Sequence, residues 1–178
     1  MPDPARIART IRRRVSVAAV LACLAASGAH ADESPAVAAI EAAYLTKFPA
    51  FVDWPPGAPS ALCVLASDTV GRLIDQAESK LPADADAAVV RRLRADGQAA
   101  DCRILFIGDP NQRPADRSSA TAVLVVTDQA AEGRKGVINF VIRDDRVRFE
   151  IDDAEAARRG LVISSKLLSL AVAVKPRA

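Results

Sequence analysis

Three groups of residues have types and spacings that could do chemistry: the cysteines Cys63 and Cys102, a polar set comprising Asn139, Arg148, Ser164, Ser165 and Lys166, and the adjacent acids Asp144-Asp145 and Asp152-Asp153. The cysteines are too far apart for a Cys-x-x-Cys dithiol. In an oxidising compartment they can form a structural bridge or a redox-sensing one, with two free thiols the remaining state. Closing a loop of that length stabilises by roughly 4 kcal/mol through lost chain entropy. In the polar set, Arg148 can fork onto a carboxylate or phosphate, and Ser164-Ser165 at a helix start offers hydroxyls and backbone N–H groups, so an anion-binding pocket is one reading. The competing reading pairs Arg148 with a nearby acid and makes Ser164 or Ser165 a helix cap. Adjacent acids rarely converge on one substrate bond, so the Asp pairs read as solvated charges or caps and not as a catalytic dyad.

The only histidine, His30, falls in a segment that reads as an export signal. Arg6, Arg9, Arg12, Arg13 and Arg14 precede an apolar run from Val15 to Ala26, and Ala29-His30-Ala31 has the small-residue cleavage pattern. The expected organisation is a signal over residues 1–31, cut after Ala31, and one periplasmic domain over 32–178. The uncharged stretch from Val15 to Ala29 is shorter than the roughly 20 residues a membrane-spanning helix needs. Val20-Leu21-Ala22-Cys23 resembles a lipobox, which leaves lipidation of Cys23 as the alternative to its removal.

Without residues 1–31 the protein contains no histidine, which excludes Ser-His-Asp and Cys-His hydrolysis and most catalytic zinc sites. A non-enzymatic protein without metal or cofactor is therefore expected. Five of the 24 Lys+Arg and one of the 22 Asp+Glu lie in 1–31, so the remainder has a net charge of −2. That balance gives no bulk attraction for nucleic acid, and Arg91, Arg92 and Arg94, with no aromatics between them, read as a solvated sheet edge.

The elements that must position these residues are legible from periodicity. Ser34-Pro35 starts a helix over about 35–48, with Val37, Ile40, Tyr44, Phe48 and Phe51 at three- and four-residue steps and Pro49 ending it. Tyr44, Phe48, Phe51 and Trp54 make an aromatic stripe that is either core or a partner-binding ridge. Leu62–Ala66 reads as a buried strand, Val70–Ser79 as a helix, 87–94 as an edge strand, Arg103–Ile107 as a central strand, 110–119 as a short polar helix and Thr121–Thr127 as another strand. Two alternating runs, 136–143 and 146–152, flank Asp144-Asp145 as a β-hairpin with Ile138, Phe140, Ile142, Val147, Phe149 and Ile151 on its apolar face. Asp153–Arg159 is a helix stopped by Gly160, and Ser165–Val172 a closing helix. The expected fold is α/β: a single domain with a mixed β-sheet, helices on both faces and a C-terminal β-hairpin.

The run from Gly136 to Ile151 (GVINFVIRDDRVRFEI) followed by Ala156–Leu168 (AARRGLVISSKLL) resembles the C-terminal signature of the YfiR family. Ala43–Phe48, Phe51–Pro55, Cys63–Leu65 and Cys102–Ile107 match the same family in order, so the resemblance covers about residues 36–174. It implies a small periplasmic regulator, typically a homodimer, that binds the periplasmic sensor region of an inner-membrane diguanylate cyclase and holds the cyclase inactive. Cyclic di-GMP, biofilm formation and exopolysaccharide would fall as a result. An outer-membrane OmpA-like lipoprotein is a further partner the resemblance implies. Cys63 and Cys102 match the family's shared cysteine positions. Two departures are visible: Pro49 stands where the family has a helix-compatible residue, and no cysteines remain for the second disulfide some members carry.

Overall fold

A computed structural model of the chain describes residues 34–80, 89–94, 101–108, 122–128 and 135–177, all within the compact unit Glu33–Ala178. The signal-like segment 1–31 and the expected helix at 110–119 lie outside the described residues.

Helix α1, Pro35–Leu45, begins with proline in its first turn, where no intrahelical N–H is required. It buries Ala38, Glu41, Ala42 and Leu45, whereas Ile40 of the expected stripe is exposed. The sequence PAVAAIEAAYL is apolar almost all round, so periodicity alone does not choose a face. The small Ala38 and Ala42 side chains instead let the helix come close to its neighbours. The expected helix over 35–48 stops at Leu45, and Pro49 sits in the first turn of a separate 3₁₀ turn, Phe48–Phe51. Proline biases the residue before it away from α geometry, and its ring would displace a carbonyl of the preceding turn. Strand β1, Val52–Asp53, follows at once.

Strand β2, Ala61–Leu65, is buried throughout. It leads to α2, Asp68–Glu78, whose Ser67 cap accepts a hydrogen bond from the Val70 N–H. Strands β3 (Val90–Arg92), β4 (Cys102–Ile107) and β5 (Leu124–Thr127) follow, then the hairpin strands β6 (Ile138–Arg143) and β7 (Arg146–Asp152). Helix α3 spans Asp153–Arg158, β8 Val162–Ile163, α4 Ser165–Leu170 and β9 Ala173–Lys175.

Seven strands form one sheet in the order β3-β2-β4-β5-β6-β7-β9. Pairing is parallel from β3 through β6, antiparallel between β6 and β7, and parallel again between β7 and β9. The fold is thus α/β with a mixed sheet and a C-terminal hairpin. The hairpin register is the one the alternation predicts: Ile138 opposes Ile151, Phe140 opposes Phe149 and Ile142 opposes Val147. Asp144 and Asp145 both take positive φ, 49° and 55°, the backbone a two-residue I′ turn requires. Gly160, with φ 73°, ends α3 in the left-handed conformation open to glycine. Gly136 has a different role: a Cβ there would collide with the Val125 carbonyl, across which β5 and the start of β6 are joined.

Alternation divides the core into two clusters. One face holds Leu62, Val64, Ile104, Phe106, Leu124, Val126, Ile138, Phe140, Phe149 and Ile151, and α1 (Ala38, Leu45), α2 (Val70, Ile74), α3 (Ala156) and α4 (Leu167) all bury residues there. The other face holds Ala61, Cys63, Leu65, Cys102, Leu105, Ile107, Val123 and Val125. Two elements go beyond the sequence expectation. The closing helix ends at Leu170, not Val172, and the chain continues as the strand β9. A separate two-stranded sheet pairs Val52 with Ile163 and Asp53 with Val162.

Candidate functional site

Cys63 and Cys102 form a disulfide with a Cα separation of 5.6 Å, and both residues are fully buried. A register shift brings them together. Ala61 pairs with Cys102 but Leu62 pairs with Ile104, leaving Arg103 as an extra residue in β4. The bulge turns Cys102 onto the face of Leu105 and Ile107 and re-aims the extra side chain. The Arg103 guanidinium lies over the Trp54 ring, 4.7 Å from its centroid.

The aromatic stripe separates into core and surface. Tyr44 packs against Phe48, Phe140 and Phe149 with centroids 6.0, 5.9 and 5.5 Å away. Phe48 is 1% exposed and also contacts Phe140 and Phe149. The partner-ridge reading is therefore corrected for Phe48, because a ring enclosed by these neighbours has no surface to offer. Phe51 and Trp54 remain half-buried at the margin of the cluster.

The β1–β8 pairing then unites residues that the sequence had placed in two different sites. Ser164 donates its backbone N–H to the Phe51 carbonyl at 2.9 Å. Its hydroxyl accepts from the Leu167 N–H at 3.2 Å, so it is the cap of α4. Ser165 and Lys166 follow on exposed positions, and the Lys166 ammonium lies 5.6 Å from the Phe51 ring centroid. The result is a surface of two half-exposed aromatics, Phe51 and Trp54, each with a cation over its face. Such pairs hold the rings in fixed positions and leave apolar edges and positive charge for a partner surface.

The anion-pocket set does not converge. Asn139 and Arg148 point away from Phe140 and Phe149 by strand alternation, whereas α4 buries Leu167 in the cluster those rings belong to. Asn139 is buried, and its carboxamide is used within the fold. Its oxygen accepts from the Thr127 hydroxyl and the Gly136 N–H, both at 2.7 Å, and its nitrogen donates to the Gly136 carbonyl at 3.3 Å. Arg148 lies half-buried opposite Val141. The nearby acid Glu150 is paired with Lys135 at 3.6 Å and Arg143 at 3.5 Å.

The Asp152-Asp153 pair, read from the sequence as solvated charges or caps, lies at the start of α3 within a cluster of ion pairs that the sequence reading did not include. Asp152 caps the helix through the Glu155 N–H and accepts from the Lys175 ammonium at 2.9 Å. Asp153 receives both arms of the Arg177 guanidinium, at 2.7 and 2.9 Å. Partial burial would raise the Asp152 carboxyl, but the Lys175 and Glu155 N–H bonds and the charges of Lys175 and Arg158 together hold it below its ordinary value. Glu155 is likewise lowered, its burial outweighed by hydrogen bonds from Arg158 and Arg159. Glu155 with Arg158 and Arg159 has the i,i+3 and i,i+4 spacing that the sequence could have signalled, whereas Lys175 and Arg177 come from far along the chain, beside a three-residue strand too short for periodicity to show. A shallow groove of about 230 Å³ lies alongside, over Lys135, Glu150, Ile151 and Val174.

Among the described residues no group of three or more His, Cys, Asp or Glu could hold a metal ion, and no helix is long and apolar enough to cross a membrane. A family model described as YfiR/HmsC-like, a domain designated DUF4154, matches residues 38–172 of the chain. A search of curated proteins finds no match.

Proposed function

The chain belongs to the YfiR/HmsC-like family, and from that premise we propose that it is a periplasmic regulator that binds the sensor region of an inner-membrane diguanylate cyclase and represses it. The observation that carries this reading is the family match across residues 38–172, which takes in every described strand except the last, β9, and all four described helices but for the first residues of α1. The family supports a regulatory domain of the cyclic di-GMP signalling kind, and the repressor reading adds the partner and the sign of its action.

The chemistry of the described residues supports binding over catalysis. Asn139, Thr127, Asp152, Asp153 and Glu155 are engaged in holding the fold. The Phe51, Trp54 and Lys166 surface supplies apolar area and positive charge suited to a protein partner. A homodimer completes the reading. Repression requires only that the regulator bind the inactive state of the cyclase more tightly than the active one, and a difference of about 1–3 kcal/mol changes signalling substantially.

The test is cellular cyclic di-GMP in a deletion strain complemented with the full chain or with a chain lacking residues 1–31. Cyclic di-GMP should rise on deletion and return only with the full chain. An unchanged level in a strain that expresses the protein would sink the repressor reading. Rescue by the shortened chain would sink the periplasmic one.

A further inference from the structure

The two edges of the seven-stranded sheet are finished differently. Strand β3 ends one edge with Arg91 and Arg92, both exposed and paired with Asp101, Asp68 and Asp75. Charged side chains of this kind block pairing with another strand. At the other edge β9 holds a single charge, Lys175, at its last position, where it is ion-paired with Asp152. Leu170, Val172 and Val174 are 59%, 46% and 38% exposed, and the run Leu170–Val174 carries no charge. Beyond that run Lys175 and Arg177 are ion-paired with Asp152 and Asp153, so the uncharged stretch is the part of this edge open to a neighbour.

The backbone of β9 determines what can pair with it. The Val172 N–H donates to Phe149 in β7 at 3.0 Å, and Ile151 pairs with Val174. N–H and C=O directions alternate along a strand, so Val172 and Val174 bond inward and Ala173 and Lys175 point theirs outward. We propose that the outward edge of β9 pairs antiparallel with β9 of a second copy, about a two-fold axis at Ala173, making one continuous sheet through the dimer. This rests on the dimeric reading given above and names its interface.

The register is self-complementary. Ala173 meets the second copy's Ala173 and exchanges both backbone hydrogen bonds. Lys175 donates its N–H to the second copy's Ala171 carbonyl, and the reverse bond forms by symmetry. Val172 then stands opposite the second copy's Val174, giving two apolar cross-strand pairs on the face of the sheet that carries Ile151. The two Lys175 residues lie four residues apart along the ladder, about 14 Å at about 3.4 Å per residue, which is beyond a Debye length of about 8 Å. A second copy thus satisfies the outward backbone groups and buries the valines without opposing like charges, whereas a strongly charged partner strand finds no unpaired countercharge among the described residues of β9.

Covalent trapping and charge exchange test it on the full chain carrying Cys23→Ser, exported and purified from the periplasm. Light scattering of the parent protein should give the mass of two copies. Ala173→Cys, a small change at an exposed position, should yield a disulfide-linked dimer on non-reducing electrophoresis, because directly opposed residues have Cα atoms about 5.5 Å apart, within bridging range. Val172→Cys, which does not meet its own symmetry mate, should not. Val172→Lys/Val174→Lys should weaken the dimer about tenfold or more, as should Val172→Glu/Val174→Glu, through like charges directly opposed. Mixing the two should restore a dimer. A dimer that survives both charge variants, with Ala173→Cys unlinked, would overturn the β9 interface and leave the dimeric reading intact. A monomeric parent protein would overturn both, and linkage of Ala173→Cys to a different envelope protein would show that a partner's strand takes this edge.

Discussion

Cys63 and Cys102 are fully buried beneath the second apolar cluster, so a reductant reaches the bond only when that face opens. Cys63→Ser should lower stability by roughly 4 kcal/mol at most, measured by urea unfolding of the oxidised parent and the variant. Mild reductant should leave the native parent bridged, as thiol titration without denaturant would report. Asn139 is the other residue whose chemistry is spent on the fold. Its oxygen serves Thr127 and Gly136 together, so Asn139→Ala strands a hydroxyl and a backbone N–H in a buried setting. The expected loss is about 1–3 kcal/mol, checked by thermal unfolding. Replacing Thr127 with valine as well should recover part of it, because the stranded hydroxyl goes too.

At the scale of elements, the hairpin turn carries two non-glycine residues at positive φ, where L-residues are disfavoured by roughly 1–2 kcal/mol each. Asp144→Asn with Asp145→Gly supplies the pair this turn prefers and should raise stability by about 1 kcal/mol in denaturant titration, with no change in far-ultraviolet dichroism. The start of α3 has a pH dependence of definite sign. Asp152 and Glu155 are held below their ordinary values of 3.8 and 4.5, so they stabilise the folded state fully above those values. That contribution is lost as pH falls through their lowered folded values. The unfolding midpoint should therefore drop on acidification below about pH 4, and Lys175→Met, which removes one partner of Asp152, should flatten that drop. A variant as steeply acid-sensitive as the parent would contradict this assignment.

At the scale of the whole molecule, both apolar clusters are built on alternating residues of β2, β4 and β5, so neither face can melt while the other keeps its strands. Trp54 is the only tryptophan and reports on the helical face. Its fluorescence and far-ultraviolet dichroism should give the same unfolding midpoint within experimental error, and this should persist in Phe48→Ala at a stability about 3–5 kcal/mol lower. Separate midpoints would mean that the two faces unfold independently.

What the sequence determined alone was what local periodicity can carry. The α/β class, the hairpin with its register and turn, the capping roles read for Ser164 and for the Asp152-Asp153 pair and the stop at Gly160 all follow from near neighbours in the chain. The exclusion of histidine chemistry rests on composition after an expected cleavage, and the family resemblance on ordered blocks spread along the chain. The tertiary structure decided matters that depend on residues far apart. The face of α1 was undetermined in a helix apolar all round, and close packing of Ala38 and Ala42 chose it. A bulge at Arg103 set Cys102 beside Cys63 and placed the guanidinium over Trp54. Pairing of the two-residue strands β1 and β8 brought Phe51 beside Lys166 and separated the serines from Asn139 and Arg148. β9, three residues long, exists as a strand because β7 offers it an edge and Asp152 and Asp153 hold its cations. Strands this short carry too few residues for a period to register, and their partners in space settle their place.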